Sequence, residues 1–231
     1  MQDRSAAIIV AAGASCRMGG RDKLWLPLAG RILLACTIDV FEASPLVETI
    51  ILVTSVERYT DTWRLCKSEP WHKVSSIVIG GPRRQDSVRI GLTRLAQIAP
   101  LCRWVIIHDG ARPLVTSSIL EVGLQAVQVH QAVTAAVPVK ETIKLVEQGK
   151  VSATLDRSRL WTVQTPQLFS FPLILSAHST PQAQEDVTDD AMLLQRLGHR
   201  VSIFPGSYSN IKITTPDDLL LAEELLRGYT V

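Results

Sequence analysis

Five short runs read as strands: AAIIVAA (6–12), small and apolar throughout; VETIILVTS (47–55), rich in β-branched residues; KVSSIVIGG (73–81), ending in a glycine pair; RWVIIHDGARP (103–113), stopping at charged residues; and AVTAAVPV (132–139). A strand with one wet face alternates polar and apolar residues, whereas AAIIVAA is apolar on both faces. Such strands belong in the middle of a sheet covered on both sides. The stretches between them carry helical spacing. In RILLACTIDVFEAS (31–44) the apolar positions Ile32, Ala35, Cys36, Ile38, Val40 and Phe41 fall on one face. Residues 56–67, DSVRIGLTRLAQIA (86–99, with Asp86 or Ser87 as its cap) and SSILEVGLQAVQVHQ (117–131) read the same way. A β-α-β-α order predicts an α/β fold: a Rossmann-like, mostly parallel sheet with helices on both faces. Sheets of this kind bind ligands beyond the carboxyl ends of their strands. There the sequence places the loop after residue 12, the stretch from Gly80 to Asp86, the stretch from His108 to Arg112, and the region after Val139.

The remaining third departs from the alternation. ETIKLVEQGKVSATLD reads as two strands about a polar EQGK turn, with no helix to cover them. It predicts a projecting β-hairpin arm at about 139–163 that pairs with a second copy of the chain; an ordinary edge hairpin is the alternative. A helix at 186–197, strands RVSIFPG and NIKITT, and a last helix PDDLLLAEELLR follow. The 231 residues contain no repeat or long linker and are 46% hydrophobic, which predicts a single domain over 1–231 with the arm attached. A net charge of +2 argues against a nucleic-acid partner. No run approaches the ~18 apolar residues of a membrane span, and the start of the chain reads as a strand rather than a signal peptide. Cys16, Cys36, Cys66 and Cys102 form no C-x-x-C pair, so neither zinc nor disulfides are expected and a reducing cytoplasm is.

The opening loop carries the first chemical signal. IIVAAGASCRMGGRDKLWLPLAG (8–30) passes from a buried strand into small residues and then three cations, Arg17, Arg21 and Lys23. A strand-to-helix loop presents backbone N–H groups to anions, and glycine permits close approach. It is neither G-x-G-x-x-G nor a Walker loop. The added cations suit a highly charged anion such as a triphosphate; a solvated surface turn is the alternative on composition alone.

The whole pattern is more specific. AAGASCRMGGRDKLWLPLAGRILL resembles the nucleotidyltransferase signature A-A-G-x-G-x-R-M-x(n)-K-x-x-L-P-L-x-G. GGPRRQDSV, HDGARP, PVKETIK, LDRSRLWTVQTPQLF, DVTDDA and NIKITTPDDLLLAE then match, in order, the motifs of the 2-C-methyl-D-erythritol 4-phosphate cytidylyltransferases. The resemblance runs from about Ala6 to Leu226. It implies transfer of a cytidylyl group from CTP to 2-C-methyl-D-erythritol 4-phosphate, with ribitol 5-phosphate as the alternative acceptor. It also implies Mg²⁺ or another divalent cation as cofactor, and a homodimer.

Residue by residue, the resemblance assigns Arg17 and Lys23 as transition-state stabilisers, answering charge that accumulates on the α-phosphate and the leaving pyrophosphate. Ala11, Ala12, Gly13, Ala14 and Ser15 would line the nucleotide, and Gly80, Gly81 and Ser87 would hold the cytosine ring. Asp109 ends an apolar run, where a carboxylate facing polyphosphate is electrostatically wrong unless a cation intervenes; it is the implied metal ligand, with contacts to both substrates. Lys212 and Arg157 would position the alcohol phosphate for attack, with Thr142, Thr188 and Arg112 as further contacts. Pairing with Asp109 is the structural alternative for Arg112. Arg21, Arg83 and Arg84 read as surface charges, His108 as a core histidine and Cys16 as incidental. Ser15 stands where the family pattern has glycine.

Two other classes fit less well. A dinucleotide-dependent oxidoreductase would want G-x-G-x-x-G and an acid ending the second strand, which ILVTS lacks. A non-catalytic nucleotide binder should have lost the charged set, yet Arg17, Lys23, Asp109 and Lys212 are all present.

Overall fold

The computed structural model describes residues 5–13 and 22–228. The elements begin with β1 (Ser5–Ala11), β2 (Pro27–Leu28), β3 (Arg31–Ile32), α1 (Leu33–Ala43), β4 (Thr49–Thr54), α2 (Tyr59–Ser68) and β5 (Val74–Ile79). Next come α3 (Arg84–Ile98), β6 (Trp104–Asp109), α4 (Ser117–His130), β7 (Ala132–Pro138), β8 (Lys144–Glu147) and β9 (Lys150–Thr154). The chain continues through β10 (Trp161–Ser170), α5 (Phe171–Ala177), α6 (Asp190–Arg196), β11 (Ser202–Pro205) and α7 (Pro216–Gly228).

The seven-stranded sheet has the order β11-β7-β10-β6-β1-β4-β5. β1 lies parallel between β4 and β6, β5 extends the sheet beyond β4, and β11 runs parallel to β7. β10 is antiparallel to both β6 and β7, so the sheet is mixed although mostly parallel. Both faces of the central strands are buried, as the apolar run of β1 requires, whereas the edge strand β5 is only partly covered. Ala7 and Ile9 of β1 pack with Leu34, Ile38 and Phe41 of α1 and with Leu120 and Leu124 of α4. Ala6 and Ile8 pack on the other side with Val88, Leu92 and Leu95 of α3, Ile174 of α5 and Leu193 of α6. Each such fully buried aliphatic side chain stabilises the fold by roughly 1.5–3 kcal/mol.

Several expectations are corrected. Four elements, the two-residue strands β2 and β3 together with β10 and α5, are absent from the sequence reading. Pro166 cannot donate to a ladder, and the pairing of β10 with β7 shifts register between Val163 and Gln167, so its pattern does not read as one strand. NIKITT is not a strand. Its end is held by side chains instead: Asp218 accepts from the Thr214 and Thr215 N–H groups at 2.8 Å each, and Ile213 N–H reaches the Ala111 carbonyl. The cap of α3 is Arg83 rather than Asp86 or Ser87, with Asp86 in the first turn accepting from the Arg83 N–H. The helix read at 186–197 starts at Asp190, where the Asp189 carboxylate caps the Met192 N–H at 2.8 Å.

The β8–β9 hairpin forms a two-stranded sheet of its own, with every strand residue exposed. Gln148 and Gly149 between the strands both have positive φ (50° and 76°), as a tight loop matched to strand twist requires. Leu145, Val146 and Val151 are exposed on it, and Ile143 is half-buried.

Candidate active site

The carboxyl ends of β1, β5 and β6 open onto a cleft of about 410 Å³. Ala12 and Gly13 leave β1 along one wall, and Gly81 and Pro82 leave β5 along the other. Backbone approach shapes this second wall. A Cβ on Gly80 would lie 2.5 Å from the Ala12 Cβ and 2.6 Å from the Ser87 Oγ, and one on Gly81 would lie 2.5 Å from the Asp86 Cβ. The Ser87 hydroxyl oxygen accepts from the Gly81 N–H at 3.2 Å, pinning the turn to the first turn of α3. Ala11 is buried at the end of β1.

Lys23 lines the cleft from a short 3₁₀ turn, Lys23–Trp25. The turn is capped by Asp22, whose carboxylate accepts from the Leu24 N–H at 3.2 Å and pairs with Arg58 at 3.0 Å. Arg58 in turn stacks over Trp25. Ala14, Ser15 and Arg17, with Cys16 and Arg21, lie outside the described residues.

Asp109, the last residue of β6, is buried among three cations. Its Oδ1 accepts from Arg84 Nε at 3.2 Å, its Oδ2 meets Lys212 Nζ at 2.8 Å, and Arg112 Nε lies 3.6 Å from Oδ2. Burial alone would raise its pKa; Arg84, then Lys212 and Arg112, outweigh that and hold the carboxyl well below the usual range. Arg84 also reaches the fully buried Asp190 at 2.7 Å, and Asp190 accepts from His178 Nε2 at 3.0 Å.

A second cavity of about 240 Å³ shares Arg84, Asp109 and Lys212 with the cleft and extends to Arg112, Thr188 and Asp189. Thr188 donates to the Met192 Sδ at 3.4 Å, and Arg112 donates to the Asn210 carbonyl at 2.8 Å. His108 lies behind the junction, fully buried. Its Nε2 faces the Arg112 carbonyl at 3.1 Å, and a carbonyl only accepts, so Nε2 carries the proton. Nδ1 then accepts from the Thr165 hydroxyl at 3.2 Å, whose oxygen accepts from the Asp109 N–H at 3.0 Å. Burial pushes the His108 pKa down to about 4, which keeps this neutral relay intact near neutrality.

The fold therefore gathers Gly13, Lys23, Gly81, Ser87, Asp109, Arg112, Thr188 and Lys212 around two adjoining cavities. It does not bring Thr142 or Arg157 there within one chain. Both are exposed at the arm, and Arg157 donates to the Lys140 carbonyl at 3.0 Å. The sequence reading of Arg84 as a surface charge is corrected: it is the central cation of the junction. Neighbouring Arg83 does lie at the surface, donating to Asp86 and Asp186. Successive residues at a helix start point about 100° apart, so one arginine faces inward and the other outward. Composition carries no signal for which is which.

A mostly parallel α/β sheet with a cation-lined cleft at its carboxyl ends defines a Rossmann-like protein built to hold a polyanion beside a second, smaller ligand. The sequence profile of the 2-C-methyl-D-erythritol 4-phosphate cytidylyltransferases matches residues 5–228, and the chain belongs to this family. It is 45% identical over 228 residues to the 2-C-methyl-D-erythritol 4-phosphate cytidylyltransferase of Dehalococcoides mccartyi, covering 98% of each chain. Identity to that of Alkaliphilus oremlandii is also 45%, over 97% of this chain and 95% of the relative. Among solved structures, the 4-diphosphocytidyl-2C-methyl-D-erythritol synthase of Anaerococcus prevotii superposes with a TM-score of 0.85 at 28% identity, covering 98% of this chain and 100% of that one. The Thermus thermophilus 2-C-methyl-D-erythritol 4-phosphate cytidylyltransferase gives 0.77 at 28% identity, covering 95% and 98%.

Proposed function

We propose that the chain transfers a cytidylyl group from CTP to 2-C-methyl-D-erythritol 4-phosphate, giving 4-diphosphocytidyl-2-C-methyl-D-erythritol and pyrophosphate. The observation that carries this is the junction at Asp109, Arg84 and Lys212, where a nucleotide-sized cleft and a smaller polar cavity share one wall. A phosphate oxygen of the alcohol phosphate attacks the α-phosphorus of CTP, and the bond to pyrophosphate breaks on the opposite side. Two anions must approach each other, and Lys212 at the shared wall offsets their repulsion. Lys23 on the cleft wall meets charge that grows on the α-phosphate and leaving group, the role that the sequence resemblance also gives Arg17. The turn at Gly80 and Gly81, with Ser87, admits the base edge, and Arg112 and Thr188 face the alcohol phosphate.

Asp109 offers a divalent cation one carboxylate, whose oxygens pair here with Arg84 and Lys212, so an ion bound there would displace those pairs. Among the described residues Asp109 is the acid lining the larger cleft, it is held ionised, and Mg²⁺ commonly takes one or two carboxylates, with phosphate oxygens and water completing its shell. Mg²⁺ held there by Asp109 would screen the triphosphate and act as a Lewis acid. Arg157 and Thr142 would complete the second cavity of a partner copy, delivered by the arm of a homodimer. The cytoplasm suits Cys36, Cys66 and Cys102, which form no disulfide among the described residues. Among the described residues no helix is long and apolar enough to cross a membrane.

The test is pyrophosphate release with CTP and Mg²⁺, comparing 2-C-methyl-D-erythritol 4-phosphate with ribitol 5-phosphate. Higher kcat/KM for the first is expected, and preference for ribitol 5-phosphate would overturn the reading.

A further inference from the structure

Three consecutive residues at the start of α3 all reach the segment 183–190. Arg84 takes Asp190. Arg83 donates to the Gln184 carbonyl at 2.8 Å and to Asp186 at 3.0 Å. Gln85, buried, uses its whole amide: Nε2 donates to the Ala183 carbonyl at 2.9 Å and the Glu185 carbonyl at 2.7 Å, and Oε1 accepts from the Val187 N–H at 3.0 Å. Elsewhere the segment is held by buried Ala183, by Val187 packed beside it, by Gln167 donating to Asp189 at 2.8 Å and by Arg196 reaching Glu185 at 3.4 Å; the backbone of 185–187 relies on Gln85. The segment begins within a short 3₁₀ turn, Pro181–Gln184, and includes Thr188 and Asp189, which line the second cavity. On the other side, α3 follows directly from Gly81 and Pro82 on the wall of the larger cleft.

We propose that Gln85 is a positioning residue for the second substrate: its amide clamps the backbone of 183–187 to the nucleotide-binding wall and so sets Thr188 and Asp189 at the alcohol-phosphate cavity. This rests on the reading of that cavity given above. Two donors and one acceptor at fixed spacing are needed, and glutamine supplies them from a single side chain. Without the clamp the segment samples other arrangements, and apparent affinity falls by the fraction of time it is correctly placed.

The test replaces Gln85 by Met, which keeps its length and packing and removes all three bonds, and by Glu, which keeps the acceptor and loses both donors. In Gln85→Met the KM for 2-C-methyl-D-erythritol 4-phosphate is expected to rise about tenfold, with the CTP Kd, measured without the second substrate, unchanged within about twofold. Gln85→Glu should behave like Met, since its carboxylate faces two carbonyl oxygens. Asp186→Ala, at an exposed position, removes the Arg83–Asp186 pair but leaves the Arg83 bond to the Gln184 carbonyl, and should give a smaller rise of the same kind. Cleavage after Glu185 by a glutamate-specific protease should quicken in Gln85→Met. Unchanged KM in Gln85→Met and Asp186→Ala, a CTP Kd that weakens in step, or unchanged cleavage would overturn the proposal. Should the wild type transfer nothing to 2-C-methyl-D-erythritol 4-phosphate, the substrate reading fails, while the cleavage rates still report on the clamp.

Discussion

Arg84→Met removes the guanidinium that holds two buried carboxylates together. Asp109 would keep Lys212 at 2.8 Å and Arg112 at 3.6 Å. Asp190, fully buried, would keep His178 at 3.0 Å as its remaining ion-pair partner among the described residues. Breaking a buried ion pair by deleting one partner costs about 3–5 kcal/mol, because the other charge is left uncompensated. The Arg84 side chain is 25% exposed and Asp109 retains two cations, so the low end, about 3 kcal/mol, applies. For a chain of this size that is a fall in Tm of roughly 6–12 °C. The sign with pH follows from Asp190. Burial raises its pKa, but Arg84 and then His178 lower it overall, so its stabilising share is present above the ordinary carboxylate value near ~4 and is lost as pH falls through the folded value. In the variant the carboxyl pKa moves up and protonation relieves the buried charge. The stability deficit should therefore be larger at pH 7.5 than at pH 5, read by thermal or denaturant unfolding of both proteins at both pH values. A loss under about 1 kcal/mol at pH 7.5, or a deficit that grows toward acid, would refute the argument that a buried carboxylate depends on Arg84.

Lys23→Ala should lower kcat roughly 100-fold or more while CTP binding weakens far less, because the cation meets charge that grows in the transition state; near-normal kcat in steady-state assays would remove that role. Asp109→Asn should abolish activity at physiological Mg²⁺, since the amide lacks the charge that the ion requires; an unchanged Mg²⁺ titration would move the metal to another group. Arg157→Ala and Lys23→Ala, unfolded and refolded together, should recover about a quarter of wild-type sites if the arm crosses to a partner. About half of randomly paired dimers are mixed, and one of the two pockets in each is then intact. No recovery, with mixed dimers confirmed by mass, would place Arg157 in its own subunit's pocket.

Strand-like runs alternating with helical spacing determined most of the sheet without help from tertiary structure: β1, β4, β5, β6 and β7 lie where those runs stand, and β1, apolar throughout, is covered on both faces. The same logic placed Gly81, Ser87 and Asp109 at carboxyl ends, where α/β sheets bind ligands. The motif order, read as a resemblance, reached the family. β10 was illegible because Pro166 and a register shift interrupt its pattern, and its antiparallel place depends on neighbours more than twenty residues away. NIKITT has strand composition, yet its end is held by Asp218 and the Ala111 carbonyl. The site divided along the same line. Residue type is enough to nominate Lys23, Asp109 and Lys212, since cations suit phosphates and an isolated acid among them suits a metal. Partnership is not a property of residue type. Arg83 and Arg84 are identical in sequence terms, and only the direction of the first turn of α3 sends one to the surface and the other between Asp109 and Asp190. Gln85 likewise acquires meaning only when the chain returns, about a hundred residues later, to present backbone groups at the spacing its amide can bridge.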